Sequence, residues 1–525
     1  MELEPLSARD IAAAYLIYIP IAFIVLVLSY DLLLHPLNSY PGPFVARFTN
    51  GYGAFYALKR SLHIITWKEH ARYGPVIRQG PNKLVFNTVT AFKDIYHDER
   101  VTKPVTYLSN QASPGSHNIW NALDRNLHRQ RRRIVGPTVN ERSMRAFEPT
   151  MVEQVDIFIK QIALSHRAPI DMLTRCNYLG MDIIGLLSFG FPLHCQEEEK
   201  YRFLSDDLAE NNCRLNAYMQ IPTIAKYRLQ GPIDMIWYKA QEKGFRLIEF
   251  MIKSRMVQDQ HARHDLYSFV ADALKTEEGK TLRVHDLWME AIFFIVAGGD
   301  TTATAMAATL FYVARHRECY EKLAEEIRSS FQSGSEICGS KLAGCHYLRA
   351  CIDESMRMSP PVAGPVWRQL SPDDDGSRPF VVDGHVIPKD TYVAVSAYSL
   401  HHNEDYFPDP FTYKPERWLE PVGEEGAPGS WKVMHEAFAS FSTGSRGCPG
   451  KAMAYLELNL VIAKTLWYFD FKPAPGKLGD VGLSDKGEFR LYDVFVSTHD
   501  GPWLEFTPRS TLAEDFPDLK TGSAE

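Results

Sequence analysis

Residues 11 to 30, IAAAYLIYIPIAFIVLVLSY, are twenty consecutive positions without a charge. A helix of that length crosses the hydrocarbon core of a bilayer, and a proline such as Pro20 is tolerated within it. A cleaved signal peptide is the competing reading. Against it, the leader carries Glu2, Glu4 and Asp10 against Arg9 alone, and the apolar run is too long for a signal h-region. Basic residues return at Arg47, Lys59 and Arg60, which by the positive-inside rule puts the main body in the cytosol. The segment HPLNSYPGP (35–43) then predicts a stiff, extended connection that cannot continue the helix.

Further on, PVIRQGPNKLVFN (75–87) alternates as two short strands around a Gly-Pro turn. Helix-period stretches dominate from about 140 to 330. Extended segments return at 379–388 and 391–400, with a further pair near 489–506, and a Pro- and Gly-rich irregular run lies between 403 and 435. The polar tail after Pro508 predicts disorder. No internal repeat is evident. The expected layout is a short lumenal start (1–10), an anchor (11–30), a linker (31–43), one large domain (44–508) and a tail (509–525). The fold class is mainly α with a minor β portion.

Composition narrows the partners more than the fold. A chain of 525 residues, 45% hydrophobic, can bury a large core. Its net charge of −7 gives no reason to expect nucleic acid. Eight cysteines occur, none in a C-x-x-C pair, and no N-x-S/T sequon is present. Both features suit reduced thiols in a cytosol-facing domain.

One cysteine stands apart. FSTGSRGCPG (441–450) sets Cys448 among turn-forming residues, directly before the helix-like KAMAYLELNLVIAKTLWYF. Backbone N–H groups and the positive end of a helix dipole favour a thiolate there. That suits a nucleophile, a redox thiol or a metal ligand alike. The surrounding residues break the tie. Phe441, Gly444, Arg446, Cys448 and Gly450 match F-x-x-G-x-R-x-C-x-G, and AGGDTT (297–302), ESMR (354–357) and PERW (415–418) accompany it. Their kind and order resemble the cytochrome P450 monooxygenases, over roughly residues 35 to 508.

The resemblance implies a P450 fold behind a transmembrane helix, with haem b held by the Cys448 thiolate. A thiolate pushes electron density toward O–O cleavage, the property for which this family's ligation is known. The loop glycines Gly444, Gly447 and Gly450 would let backbone approach the macrocycle and aim N–H groups at the sulfur, and Phe441 would shield it from water. Two propionates need cationic or donor partners: Arg446, Arg368 in PVWRQL, and the pair His128 and Arg132. The family usually has tryptophan where this chain has His128; the spacing of four still puts both on one helix face.

In AGGDTT, the family assigns Thr301 to the outer oxygen of dioxygen and Asp300 to a proton relay from solvent. The plainer reading is a threonine bonded to its own i−4 carbonyl and an aspartate in a surface pair. The adjacent Gly298 and Gly299 weaken a helix, which a gap for dioxygen and substrate would explain. Glu354, Arg357 and Arg417 resemble the family's buried structural network. Arg129, Arg131 and Arg133 form a candidate docking patch for an acidic donor. GPIDMIWYKAQ (231–241) is a candidate membrane-dipping segment. Phe293, Phe294, Ala297, Val362 and Val366 are candidate pocket residues, so a hydrophobic substrate is expected.

The resulting expectation is a single-pass endoplasmic-reticulum monooxygenase, catalytic domain in the cytosol. Electrons would come from NADPH through a separate cytochrome P450 reductase, with cytochrome b5 as a second candidate donor. The segment HPLNSYPGP and the cysteine loop look most like microsomal enzymes of filamentous fungi, many of which tailor secondary metabolites. The alternatives are a haem-thiolate isomerase or dehydratase without a reductase, which loss of the Asp-Thr pair would have favoured, and a non-catalytic haem sensor.

Overall fold

The helix Val284–Arg315 is the axis around which the other elements pack. The computed structural model describes residues 8–111, 115–259, 265–268, 284–419 and 430–519. Helices Met172–Phe189, His346–Met358 and Lys451–Tyr468 lie against the axis, and Glu141–Ala163 closes the far side. Their shared core runs from Met151, Val155 and Phe158 through Ile183, Ala303 and Met306 to Leu458 and Leu466, all fully or almost fully buried. Apolar burial at about 25 cal/mol per Å² is the main favourable term in such a core.

Two three-stranded sheets and two two-stranded ribbons flank the helices among the described residues. Strands Val76–Gly80 and Lys83–Phe86 pair antiparallel, as their alternation and Gly-Pro turn predict, and Tyr392–Val395 joins in parallel. The other three-stranded sheet unites Ile170–Asp171, Trp503–Pro508 and Phe469–Pro473. The expected extended run 391–400 is cut short by a helical turn over Ala397–His401, capped by the Ser396 hydroxyl. The pair expected near 489–506 is one strand, Trp503–Pro508, preceded by a loop closed by the single bridge Tyr492–Thr498.

Three terminal features refine the sequence reading. The helix Ala8–Leu33 contains a stretch, Tyr15–Leu33, of mean hydropathy 2.3 with none of it buried. The central helix also passes a length-and-apolarity test, but its Ile292–Arg315 segment is 67% buried and belongs to the core. The linker is turned and docked, not extended: Leu37 is buried and the Arg78 N–H donates to the Pro41 carbonyl at 2.7 Å. The tail is ordered as far as residue 519, contrary to expectation. Leu512 and Phe516, one helical turn apart, pack into the main core, and Phe516 lies against Tyr468.

Candidate active site

The cysteine loop is built by its neighbours. Gly444 has φ +72°, and a Cβ there would stand 1.9 Å from the Tyr96 carbonyl oxygen. Glycine is needed there because the Tyr96 backbone presses on the loop. The Gly447 N–H closes onto the Gly444 carbonyl at 3.0 Å, so it does not serve the sulfur, and the Cys448 N–H donates to Phe441 O at 2.8 Å. Of the three loop glycines, Gly450 supplies the N–H that favours the Cys448 thiolate. Phe441 packs on Tyr455, with ring centroids 5.1 Å apart.

Cys448 keeps part of its surface open, while the protein packed around its sulfur desolvates it. Burial therefore pushes its thiol up, and the Gly450 N–H, Arg132 and Lys451 pull it back toward the thiolate. Arg132 holds the loop directly, donating to Gly447 O at 2.6 Å.

Behind the loop stands the buried network. Both oxygens of Glu354 meet Arg357 at 2.9 Å, Arg417 Nε adds a contact at 3.0 Å and Trp418 Nε1 another at 2.9 Å. Burial opposes the charge on Glu354, but Arg357 and Arg417 outweigh it and hold its carboxyl below the ordinary range. The network reaches the loop through His401. Its Nε2 accepts from the Ala439 N–H at 2.8 Å, which leaves Nδ1 to donate to the Arg357 carbonyl at 2.9 Å. The expected triad is thus in place, and it props the entrance of the cysteine loop.

Next to the loop lies a cluster of basic groups. Arg446 donates to the carbonyls of Ala122 (2.7 Å) and Leu123 (3.1 Å). Arg368 donates to Trp367 O at 2.9 Å and lies over the Tyr96 ring. His128 is buried on the same helix as Arg132. Sequence reasoning missed a further member, Lys103, which is buried, donates to Trp120 O at 2.5 Å and faces the rings of Tyr107 and Trp120. Among the described residues, no carboxylate pairs with Lys103, Arg132, Arg368 or Arg446. The result is mutual discouragement. Burial, helped by Arg368 and Arg446, drives Lys103 well down, and burial with Arg368 lowers Arg446 to about 9. His128 falls to about 3 through burial and then Arg446, so its ring is neutral and can donate from one nitrogen.

The central helix supplies the other wall. The Thr301 hydroxyl donates to Ala297 O at 2.7 Å, the plainer of the two sequence readings. Its proton is committed, and its lone pairs remain able to accept. Asp300 is not in a surface pair. It sits in the interior with Asn212 Nδ2 donating at 3.4 Å, and burial alone pushes its carboxyl up to about 7. The two glycines answer to packing and not to a gap. A Cβ on Gly299 would meet Met181 at 2.7 Å and one on Gly298 would meet Ile184 at 2.6 Å, because helix Met172–Phe189 crosses there.

Other expectations are sorted by the same geometry. Arg131 is buried against Glu290 at 3.6 Å, so of the anticipated patch only Arg129 and Arg133 are exposed. Their helix turns Arg131 inward because residues two apart point to nearly opposite sides of a helix. Phe294 packs with Ile119, Val135 and Val139, while Phe293 stacks toward Trp120. The side chains of 232–242, including the anticipated membrane-dipping residues, lie outside the described residues.

Comparison with known proteins shows the family. A sequence profile described as Cytochrome P450 matches residues 41–483. The chain belongs to the cytochrome P450 family. It is 33% identical over 487 residues to the cytochrome P450 monooxygenase poxM of Penicillium oxalicum, covering 91% of each chain. It is 32% identical to the monooxygenase AKT7 of Alternaria alternata, over 93% of this chain and 95% of that one. The monooxygenase atnE of Emericella nidulans is 31% identical over 91% of this chain and 93% of its own. The protein is therefore an oxidoreductase that incorporates oxygen from O2, with the P450 fold.

Family membership implies haem with a cysteine thiolate, and the residues fit it. The Cys448 thiol, pulled toward the thiolate by the Gly450 N–H, Arg132 and Lys451, would ligate the iron. Lys103, Arg132, Arg368 and Arg446, none of them ion-paired with a carboxylate among the described residues, are a set that two propionates would complete.

Proposed function

We propose that this P450 is a membrane-anchored monooxygenase of the endoplasmic reticulum that inserts one oxygen atom into a hydrophobic molecule in fungal secondary metabolism. The observation that carries the reading is Cys448 at the entry to helix Lys451–Tyr468, which packs against the central helix that bears Asp300 and Thr301. Electrons come from NADPH through a separate reductase, with cytochrome b5 as a second donor, and Arg129 and Arg133 offer them a cationic face. The exposed apolar helix Ala8–Leu33 supports the anchor. The kinship with fungal monooxygenases supports the metabolic role.

Haem, when bound, supplies the iron redox chemistry that splits O2. Cys448 would ligate its iron through the thiolate, and Arg132, Arg368, Arg446, Lys103 and His128 would hold its propionates. Thr301 accepts a hydrogen bond at the oxygen side, since its own proton is given to Ala297. Asp300, with a carboxyl near neutrality, takes and gives a proton at physiological pH. Trp120, Phe293 and Phe495 form an aromatic wall: the Trp120 centroid is 6.4 Å from Phe293 and 5.5 Å from Phe495. Such a wall accepts an apolar substrate by contact area.

The test combines a spectrum and a turnover. The reduced, carbon-monoxide-bound protein should show a thiolate-type Soret band that Cys448→Ala abolishes. NADPH consumption should require added reductase and rise with extracts of the producing fungus. A band retained in Cys448→Ala, or no reductase-dependent NADPH consumption, would refute the reading.

A further inference from the structure

Helix Phe203–Gln220 carries three buried carboxamides at intervals of four: Asn212, Asn216 and Gln220. That spacing sets them in one stripe. Each bonds a buried polar or ionisable group on a different element. Asn212 donates to Asp300 Oδ2 on the central helix at 3.4 Å. Asn216 donates to Asp493 Oδ1 at 3.0 Å, in the loop whose Phe495 is held at φ +77° against Trp120. Gln220 Oε1 accepts from Trp367 Nε1 at 3.3 Å and Lys83 Nζ at 3.5 Å, and Lys83 also caps the helix end at Gln220 O, 2.7 Å away. Trp367 precedes Arg368 of the cationic cluster. One helix face thus touches the proposed proton relay, the aromatic wall and the propionate side together.

We propose that Asn212 is a positioning residue for Asp300: it holds the carboxylate form, so that seating helix Phe203–Gln220 favours release of the Asp300 proton and lifting the helix favours its retention. The proposal rests on the relay reading given above and adds its control. An amide N–H bonded to a carboxylate stabilises the charged form, and withdrawing it leaves a desolvated acid that keeps its proton. The residue type matters. A lysine at this position would lock Asp300 as a carboxylate, and a leucine would leave it an acid. A neutral amide donor falls between these two in its pull on the carboxylate. No charged side chain among the described residues contributes to the upward shift of Asp300; burial is its one cause, and the crossing helix brings Gly180 and Met181 to the neighbouring Gly299. By linkage, whatever seats the helix shifts the proton, and the proton state shifts the helix in return. Proton release from Asp300 would then be favoured while the helix is seated.

The experiment is an infrared pH titration of the holoenzyme, with the protonated-carboxyl band of Asp300 assigned by its loss in Asp300→Asn. In Asn212→Leu the midpoint should rise by about one pH unit. Asn212→Ser, which restores a small donor, should move it less in the same direction and serves if the leucine variant does not fold. An unchanged midpoint in both variants, or no Asp300 band that titrates at all, overturns the proposal. The relay itself is read separately, as slowed reductase-driven NADPH oxidation in Asp300→Asn. If that rate falls while the Asn212 variants titrate like wild type, this proposal fails alone. If the rate is unchanged, the relay reading fails with it.

Discussion

Arg132 donates at 2.6 Å to the carbonyl of Gly447, a residue 315 positions away in sequence and the one just before Cys448. The same guanidinium favours the thiolate by its charge. One side chain thus sets both the place and the protonation of the ligand. In Arg132→Gln the thiolate loses a cation and the loop a charge-assisted bond. A larger share of the carbon-monoxide complex should show thiol-type ligation, and haem should pass faster to a scavenging apoglobin. An unaltered spectrum and transfer rate would make the contact dispensable.

Glu354 is fully buried between two arginines, and its loss is a stability experiment. Glu354→Gln leaves Arg357 and Arg417 buried without their counter-charge, at a cost of about 3–5 kcal/mol. The exposed pair Arg317–Glu321 is the control, and Glu321→Gln should cost no more than about 1 kcal/mol. Urea unfolding measures both, and equal losses would contradict the account.

Two glycines of one loop should differ sharply. Gly444→Ala must drive a Cβ into the Tyr96 carbonyl at a φ that alanine resists, so haem incorporation during expression should collapse. At Gly450 the nearest atom to a new Cβ is the Cys448 sulfur, 3.9 Å away, which is ordinary contact. Gly450→Ala should keep its backbone N–H and most of its haem. The haem-to-protein absorbance ratio distinguishes them.

Acid should loosen the fold through histidines that burial keeps neutral. His70 and His499 are each lowered to about 4, against an ordinary 6.5. Between those values the unfolded chain binds a proton at each site and the folded one does not. Stability is therefore full above about 6.5 and falls as pH drops toward 4, by about 1.4 kcal/mol per unit for each histidine. His499 stacks on Phe489 with centroids 4.0 Å apart, so His499→Phe should keep the stacking and flatten the slope. Urea midpoints from pH 7 to 5 provide the check.

Thr301→Ala should leave haem content and substrate binding largely intact, because the hydroxyl bonds only a carbonyl of its own helix. Oxygen consumption should continue while more electrons end in hydrogen peroxide. The ratio of product to NADPH consumed, measured with reductase and the true substrate, should fall. An unchanged ratio would mean that water or the substrate carries the proton.

Much of this site could be read from the chain because its chemistry is concentrated in short segments. Cys448 with its loop, Glu354 with Arg357, and Asp300 with Thr301 each declare themselves within a few residues. Contacts that join distant segments left no such trace. Lys103 looks like any lysine until the fold sets it beside Arg368 and Arg446. Asn212 and Asn216 sit in a helix whose inward face the sequence does not reveal. The misreadings have the same origin. Gly298 and Gly299 suggested space, but Met181 and Ile184 occupy it, and those partners lie more than a hundred residues earlier. Arg131 was grouped with its neighbours by adjacency in sequence, whereas rotation along the helix turned it toward Glu290.

The cysteine loop is held from outside at several points: Tyr96 beneath Gly444, Arg132 on Gly447 and, just before it, His401 relaying the arginine network to Ala439. It is therefore not a portable cassette. Grafting residues 441–450 onto another helical scaffold would carry over the thiol but not the fixtures that shape its surroundings. An engineer who wants this ligation elsewhere has to transplant the frame, and one who wants to retune it here can work on the frame without touching the loop.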